Sequence, residues 1–105
     1  MLTLVVFEFP YTGPWGADMS QAMQGLAQDI AQEDGLAWKV WTESQERGVA
    51  GGVYLFKNRE AAQRYIEKHT ARLAAFGITG IEARVSDVNT ELTKLDHGDS
   101  PVLPA

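Results

Sequence analysis

Apolar and polar positions alternate along this chain with two different periods. Thr3 to Phe9 is rich in β-branched and aromatic residues and predicts a strand that Pro10 ends or places at an edge. Tyr11-Thr12-Gly13-Pro14-Trp15-Gly16 reads as a loop. From Asp18 to about Gln32 the residues Met19, Met23, Leu26, Ala27 and Ile30 share one helical face. Asp18 is placed to cap this helix and Gly35 to stop it, and Gly25 could let it approach a sheet closely. Leu36–Ser44 and Val49–Phe56 predict two more strands, joined by the polar turn Gln45–Gly48 and therefore an antiparallel hairpin. Asn58 caps a second helix running to about Phe76. Its apolar stripe is Ala62, Tyr65, Ile66, His69, Leu73 and Phe76, and Gly77 is its C-cap. Gly80–Val88 predicts a fourth strand, with Ile81, Ala83 and Val85 on one side. Beyond Asn89 a short helical turn through Leu92 and Leu95 precedes a mobile end from Gly98 onward.

The order β-α-β-β-α-β is the split βαβ arrangement of a ferredoxin-like sandwich. It predicts an α+β fold in one domain, residues 1–90, followed by a tail over residues 91–105. The four-stranded antiparallel sheet carries both helices on one face. The strand Leu36–Ser44 does not alternate cleanly: Trp38 and Val40 point one way, Ala37 and Trp41 the other. Each face thus carries a tryptophan. The chain's own helices can cover one face, and the other calls for a ligand or a second copy, so a homodimer through facing sheets is expected. Gly51-Gly52 marks a bulge or a close approach to the backbone.

Charge and composition narrow the partners. A net charge of −5 over 105 residues argues against nucleic acid or an anionic membrane surface. The absence of cysteine excludes disulfides and thiolate metal sites and fits the cytoplasm. The apolar start, Leu2–Phe7, lacks a basic flank and is too short for a signal peptide or a membrane span. No histidine pair or His–carboxylate group has coordinating spacing, and no glycine-rich phosphate loop follows a strand, so neither metal nor cofactor is expected.

The candidate chemistry sits on few side chains. His69, on an apolar helix face, is either a hydrogen-bonded core histidine or a group for proton transfer near neutral pH, with haem ligation a further option. Trp38, Trp41 and Tyr54 read as core and interface, or as the walls of a flat pocket with the Tyr54 hydroxyl reaching an anion. Lys39 could hold an anionic or peroxide-like intermediate, or extend to the sheet edge. Lys39 and Trp41 share one strand parity and Trp38 the other; which side meets the helices is left open. Trp15 is a loop plug or a ligand wall. Asn89 orients a substrate or caps an Asx turn. Glu43 and Arg72 read as surface or inter-subunit ion pairs.

Four blocks resemble the YdhR-type "putative monooxygenase" family of the dimeric α+β barrel superfamily: Trp38-Lys39-Val40-Trp41-Thr42-Glu43, Ala50-Gly51-Gly52-Val53-Tyr54-Leu55-Phe56, Glu67-Lys68-His69-Thr70-Ala71-Arg72-Leu73 and Asp87-Val88-Asn89. The likeness runs from the first strand to Asn89. It implies a ferredoxin-like homodimer with facing sheets and a relation to cofactor-independent oxygenases of quinol-like or anthrone substrates. On that reading a small aromatic substrate itself reduces O2. His69 accepts its proton, Tyr54 and Lys39 stabilise the anion, and Trp38, Trp41, Trp15 and Asn89 surround it. Two alternatives stand beside it: a dimer that binds a hydrophobic small molecule without chemistry, and a haem-binding or haem-degrading relative.

Overall fold

The computed structural model describes residues 1–97, so the end expected to be mobile lies outside the described residues. In order, the elements are β1 (Thr3–Pro10), α1 (Gly16–Ala22), α2 (Gln24–Ala31), β2 (Leu36–Ser44), β3 (Val49–Phe56), α3 (Arg59–Ala75), β4 (Glu82–Asp87) and α4 (Thr90–His97). The strands form one antiparallel sheet in the order β2-β3-β1-β4. This is the ferredoxin-like α+β fold expected from the element order.

Strand alternation decides where the core lies. Thr3, Val5, Phe7 and Phe9 of β1 are buried, while their neighbours Leu4, Val6 and Glu8 are only partly so. Val5 pairs with Tyr54 and Phe7 with Gly52, which puts Ala50, Tyr54 and Phe56 on the same side. Against them pack Met19, Ile30, Ala61, Ala62, Tyr65 and Leu73 from the helices. Phe7 meets the rings of Tyr54, Tyr65 and His69 edge-on, with centroids 5.1–6.1 Å apart, so the middle of the core is largely aromatic.

The first helix is kinked at Met23, between α1 and α2. Hydrogen bonding continues through the kink, from Met23 N–H to Met19 O (2.9 Å) and from Ala27 N–H to Met23 O (2.8 Å). Asp18 does not cap α1. The helix starts at Gly16, whose N–H donates to Glu43 Oε1 of β2 at 2.8 Å, so the carboxylate comes from a strand 27 residues away. Gly25 is exposed and has nothing within 4 Å of where a Cβ would stand, so it makes no close approach to the sheet.

Helix α3 follows its sequence signals more closely. Asn58 Oδ1 accepts from Ala61 N–H at 2.8 Å. At the other end Ile78 N–H reaches Leu73 O (3.1 Å) and Gly77 N–H reaches Ala74 O (2.9 Å), with Gly77 at φ +84°. This is a Schellman stop in which Phe76 is the cap and Gly77 the residue after it. Phe76, expected in the buried stripe, is 70 % exposed, because the stop turns it away from the sheet. The expected short turn near the end is the eight-residue helix α4. No helix among the described residues is long and apolar enough to cross a membrane.

Candidate functional site

Strand pairing settles the two-faced strand. Lys39 pairs with Tyr54 and Trp41 with Gly52, on the side facing the helices. Trp38 pairs with Leu55 and Val40 with Val53, on the opposite side. A bulge between Leu36 and Trp38 puts Leu36, opposite Phe56, on the helix side as well. The glycine pair does two separate things. A Cβ on Gly51 would fall on the Phe7 carbonyl oxygen of β1. A Cβ on Gly52 would come within 2.8 Å of Lys39 Cε and 3.2 Å of Tyr54 Cε1. Gly51 therefore lets two strands lie close, and Gly52 leaves room for the lysine stem to cross the sheet.

Lys39 ends over aromatic faces. Its Nζ stands 3.3 Å from the Trp41 ring centroid and 4.7 Å from that of Tyr54. Burial, reinforced by the positive charge of Arg72, lowers its pKa to about 7. The electron-rich Trp41 face opposes both effects by favouring the ammonium form. The amine thus changes charge near neutral pH, as a group that exchanges protons with a ligand must.

Beside it runs a line of polar contacts built on α3. Asp29 of α2 holds Arg72 Nη1 at 2.6 Å. Arg72 also turns Nε (3.3 Å) and Nη2 (3.0 Å) towards His69 Nδ1. A guanidinium only donates, so Nδ1 is an acceptor and the proton of the neutral ring sits on Nε2. Nε2–H then donates to Tyr54 Oη at 3.5 Å. The Tyr65 hydroxyl donates to the same oxygen at 3.2 Å. Both acceptor directions of Tyr54 Oη are filled, and its own proton remains to be given. Burial, then the charges of Lys39 and Arg72, lowers the His69 pKa to about 3. Burial raises Tyr54 far above the usual phenol range and pushes Tyr65 up to about 12. At neutral pH the line is Arg72⁺, neutral imidazole and two phenols.

Lys39, Tyr54 and His69 border a cavity of about 320 Å³ whose remaining walls are apolar. Those walls include Phe9 and Tyr11, Met19, Met23 and Leu26, and Leu73, Phe76 and Ile78. Trp41, on the sheet side, is 37 % exposed. Among the described residues no carboxylate lines this cavity. An apolar cavity of ~150 Å³ is enough to admit benzene, so this one has room for one or two fused rings.

The structure thus gathers Lys39, Trp41, Tyr54 and His69, and it separates the other candidates from them. Trp38 and Asn89 line a groove of about 450 Å³ on the opposite face of the sheet. Asn89 caps α4, accepting from Leu92 N–H at 3.1 Å. Trp15 packs edge-on against Tyr11, with centroids 5.1 Å apart, and stands behind the cavity wall. Arg72 pairs within its own chain, and Glu43 caps α1. The geometry also removes His69 from the role of proton acceptor, since Arg72 occupies its lone pair. Reaching a haem iron would break one of the two contacts its ring nitrogens make. Among the described residues no three His, Cys, Asp or Glu side chains group as a metal site. Arg72 and Tyr65 are the hydrogen-bonding neighbours of His69 and Tyr54 that sequence reasoning missed. Their spacing from His69, three residues after for Arg72 and four before for Tyr65, was the available signal.

Comparison with known proteins agrees with this fold. The crystal structure of a "putative antibiotic biosynthesis monooxygenase" from Deinococcus radiodurans, at 1.40 Å resolution, superposes with a TM-score of 0.57. It covers 85 % of this chain and 93 % of its own at 15 % identity, a likeness of fold. No curated protein matches the chain. The family model described as "Putative mono-oxygenase ydhR" matches residues 4–99, nearly every residue that builds the sheet, the helices and the cavity, and the chain belongs to that family.

Proposed function

We propose that this protein oxygenates a small arenol or quinol-like substrate with O2 and without a cofactor. The observation that carries the reading is the pairing, on two residues that line one apolar cavity, of an amine titrating near pH 7 with a spare hydroxyl proton. The uncharged Lys39 amine takes the proton of the substrate hydroxyl, and Tyr54 O–H donates to the oxyanion that forms. His69, held by Arg72, and Tyr65 aim the Tyr54 oxygen. The arenolate gives its electrons to O2, a ring carbon forms a bond to oxygen, and the hydroperoxide loses water. The balance is arenol + O2 → quinone + H2O, with all four electrons supplied by the substrate. The apolar walls keep bulk water from the anion.

Oxygen uptake with a series of arenols and quinols tests the reading. Wild-type protein is expected to consume one O2 per quinone formed, in the presence of a metal chelator and with no flavin or haem added. Lys39→Met and Tyr54→Phe should each lower kcat/KM by about 10²-fold or more while remaining folded. Binding of arenols with no oxygen consumed would replace this reading by that of a small-molecule binding protein.

A further inference from the structure

With Lys39 protonated, the polar residues that border the cavity offer hydrogen-bond donors and no free acceptor. Tyr54 Oη accepts from His69 and Tyr65 and has only its own proton to give. His69 Nδ1 is taken by Arg72. The Lys39 ammonium has only N–H bonds to offer, and among the described residues it has no carboxylate partner. A wholly apolar ligand would fill the walls but leave the Tyr54 and Lys39 donors dry and unpaired, which costs more than the filling of one end gains. A cationic ligand would meet Lys39 directly and Arg72 behind it. An oxygen that carries negative charge and accepts from both donors meets neither objection.

We infer that the cavity is a receptor for arene oxyanions: one or two fused rings against Trp41 and the methionine wall, with a single carboxylate or arenolate group between Lys39 Nζ and Tyr54 Oη. The inference rests on the reading of this cavity as the substrate site and narrows it to ligands with an anionic oxygen at one end. It also places arene carboxylates, which carry that charge without needing deprotonation, among the compounds that bind and are not turned over.

Three ligands of one shape separate the possibilities by isothermal titration calorimetry: 1-naphthoate, 1-naphthamide and 1-naphthylmethylammonium. Naphthoate should bind one per chain and at least about tenfold more tightly than the amide, and the ammonium should not bind measurably. Lys39→Met, with Lys39→Gln as a second variant, should abolish the preference for acid over amide while the amide affinity stays within a few-fold. Circular dichroism and thermal melting establish that both variants are folded. Equal affinities for acid and amide in the wild type, or a preference surviving in a folded Lys39 variant, would overturn the inference. Arenol-dependent oxygen uptake alongside equal acid and amide affinities would overturn it while leaving the oxygenation reading intact. Preferential naphthoate binding without uptake from any arenol would support it and end that reading.

Discussion

In the proposed reaction the protonation state of Lys39 sets the chemistry, and its titration gives a testable sign. Only the uncharged amine takes a proton, so kcat/KM for an arenol should rise as pH increases through about 7 and level off above it. His69 should add no step between pH 5 and 7, because its pKa is already lowered to about 3 by burial and by the charges of Lys39 and Arg72. Arg72→Gln removes one of the two influences that depress the Lys39 pKa, and should move the rising limb to higher pH. A profile that is flat from pH 6 to 9, or a limb unmoved in that variant, would argue against Lys39 as the base. At this scale the sequence was only half legible. Lys39, Tyr54 and His69 could be singled out because a lysine between tryptophans and a histidine on an apolar helix face are unusual placements. Their roles could not, because these depend on which lone pair a neighbour occupies. Arg72 read as a surface or inter-subunit ion pair until its guanidinium was placed between Asp29 and the His69 ring.

Between elements, the hairpin of β2 and β3 carries the site, and its glycine pair separates folding from function. Gly51→Ala would put a methyl group on the backbone of β1, which is fixed by pairing on both sides. It should destabilise the protein by about 2 kcal/mol or more and lower its melting temperature or yield of folded chain. Gly52→Ala meets chiefly the flexible lysine stem at 2.8 Å, with the edge of the Tyr54 ring and the Val40 carbonyl oxygen at a milder 3.2 Å. It should cost about 1 kcal/mol and displace the amine, leaving a folded protein with most of its activity lost. Melting curves read beside oxygen uptake distinguish the two, and equal losses of stability would contradict this division of labour. The order of elements, the hairpin and the Asn58 and Gly77 signals of α3 were legible because local periodicity and capping chemistry dictate them. The kink at Met23 and the capping of α1 by Glu43 were not, since both arise from how that segment docks on a strand distant in sequence. The parity of β2 stayed open for a related reason. With a tryptophan on each face, hydrophobicity does not say which side the helices cover.

For the whole molecule, the cavity and the exposed apolar surface lie on opposite faces of one sheet. The helix side holds the cavity within a single chain. The other side presents Val40, 53 % exposed, beside Val53, with Trp38, Leu4 and Leu55 along the groove that α4 borders. A surface of this kind on a chain of 105 residues is expected to pair with a second copy, because a two-fold axis makes one patch its own complement. Two copies that each carry a net charge of −5 repel one another, so the contact must be predominantly apolar to hold. Native mass spectrometry at micromolar concentration should therefore show a dimer, and Val40→Glu, which places two carboxylates near the axis, should shift it to monomer. Because Lys39 and Trp41 face away from Val40 along the same strand, the monomeric variant should still bind 1-naphthoate, one per chain, within a few-fold of the wild-type affinity. A wild-type monomer would show that the apolar face serves something other than self-pairing. A folded Val40→Glu monomer that no longer binds would mean that the second copy completes the cavity across the sheet. Retained binding in that monomer would establish that each chain carries a whole site and that pairing supplies stability without supplying chemistry.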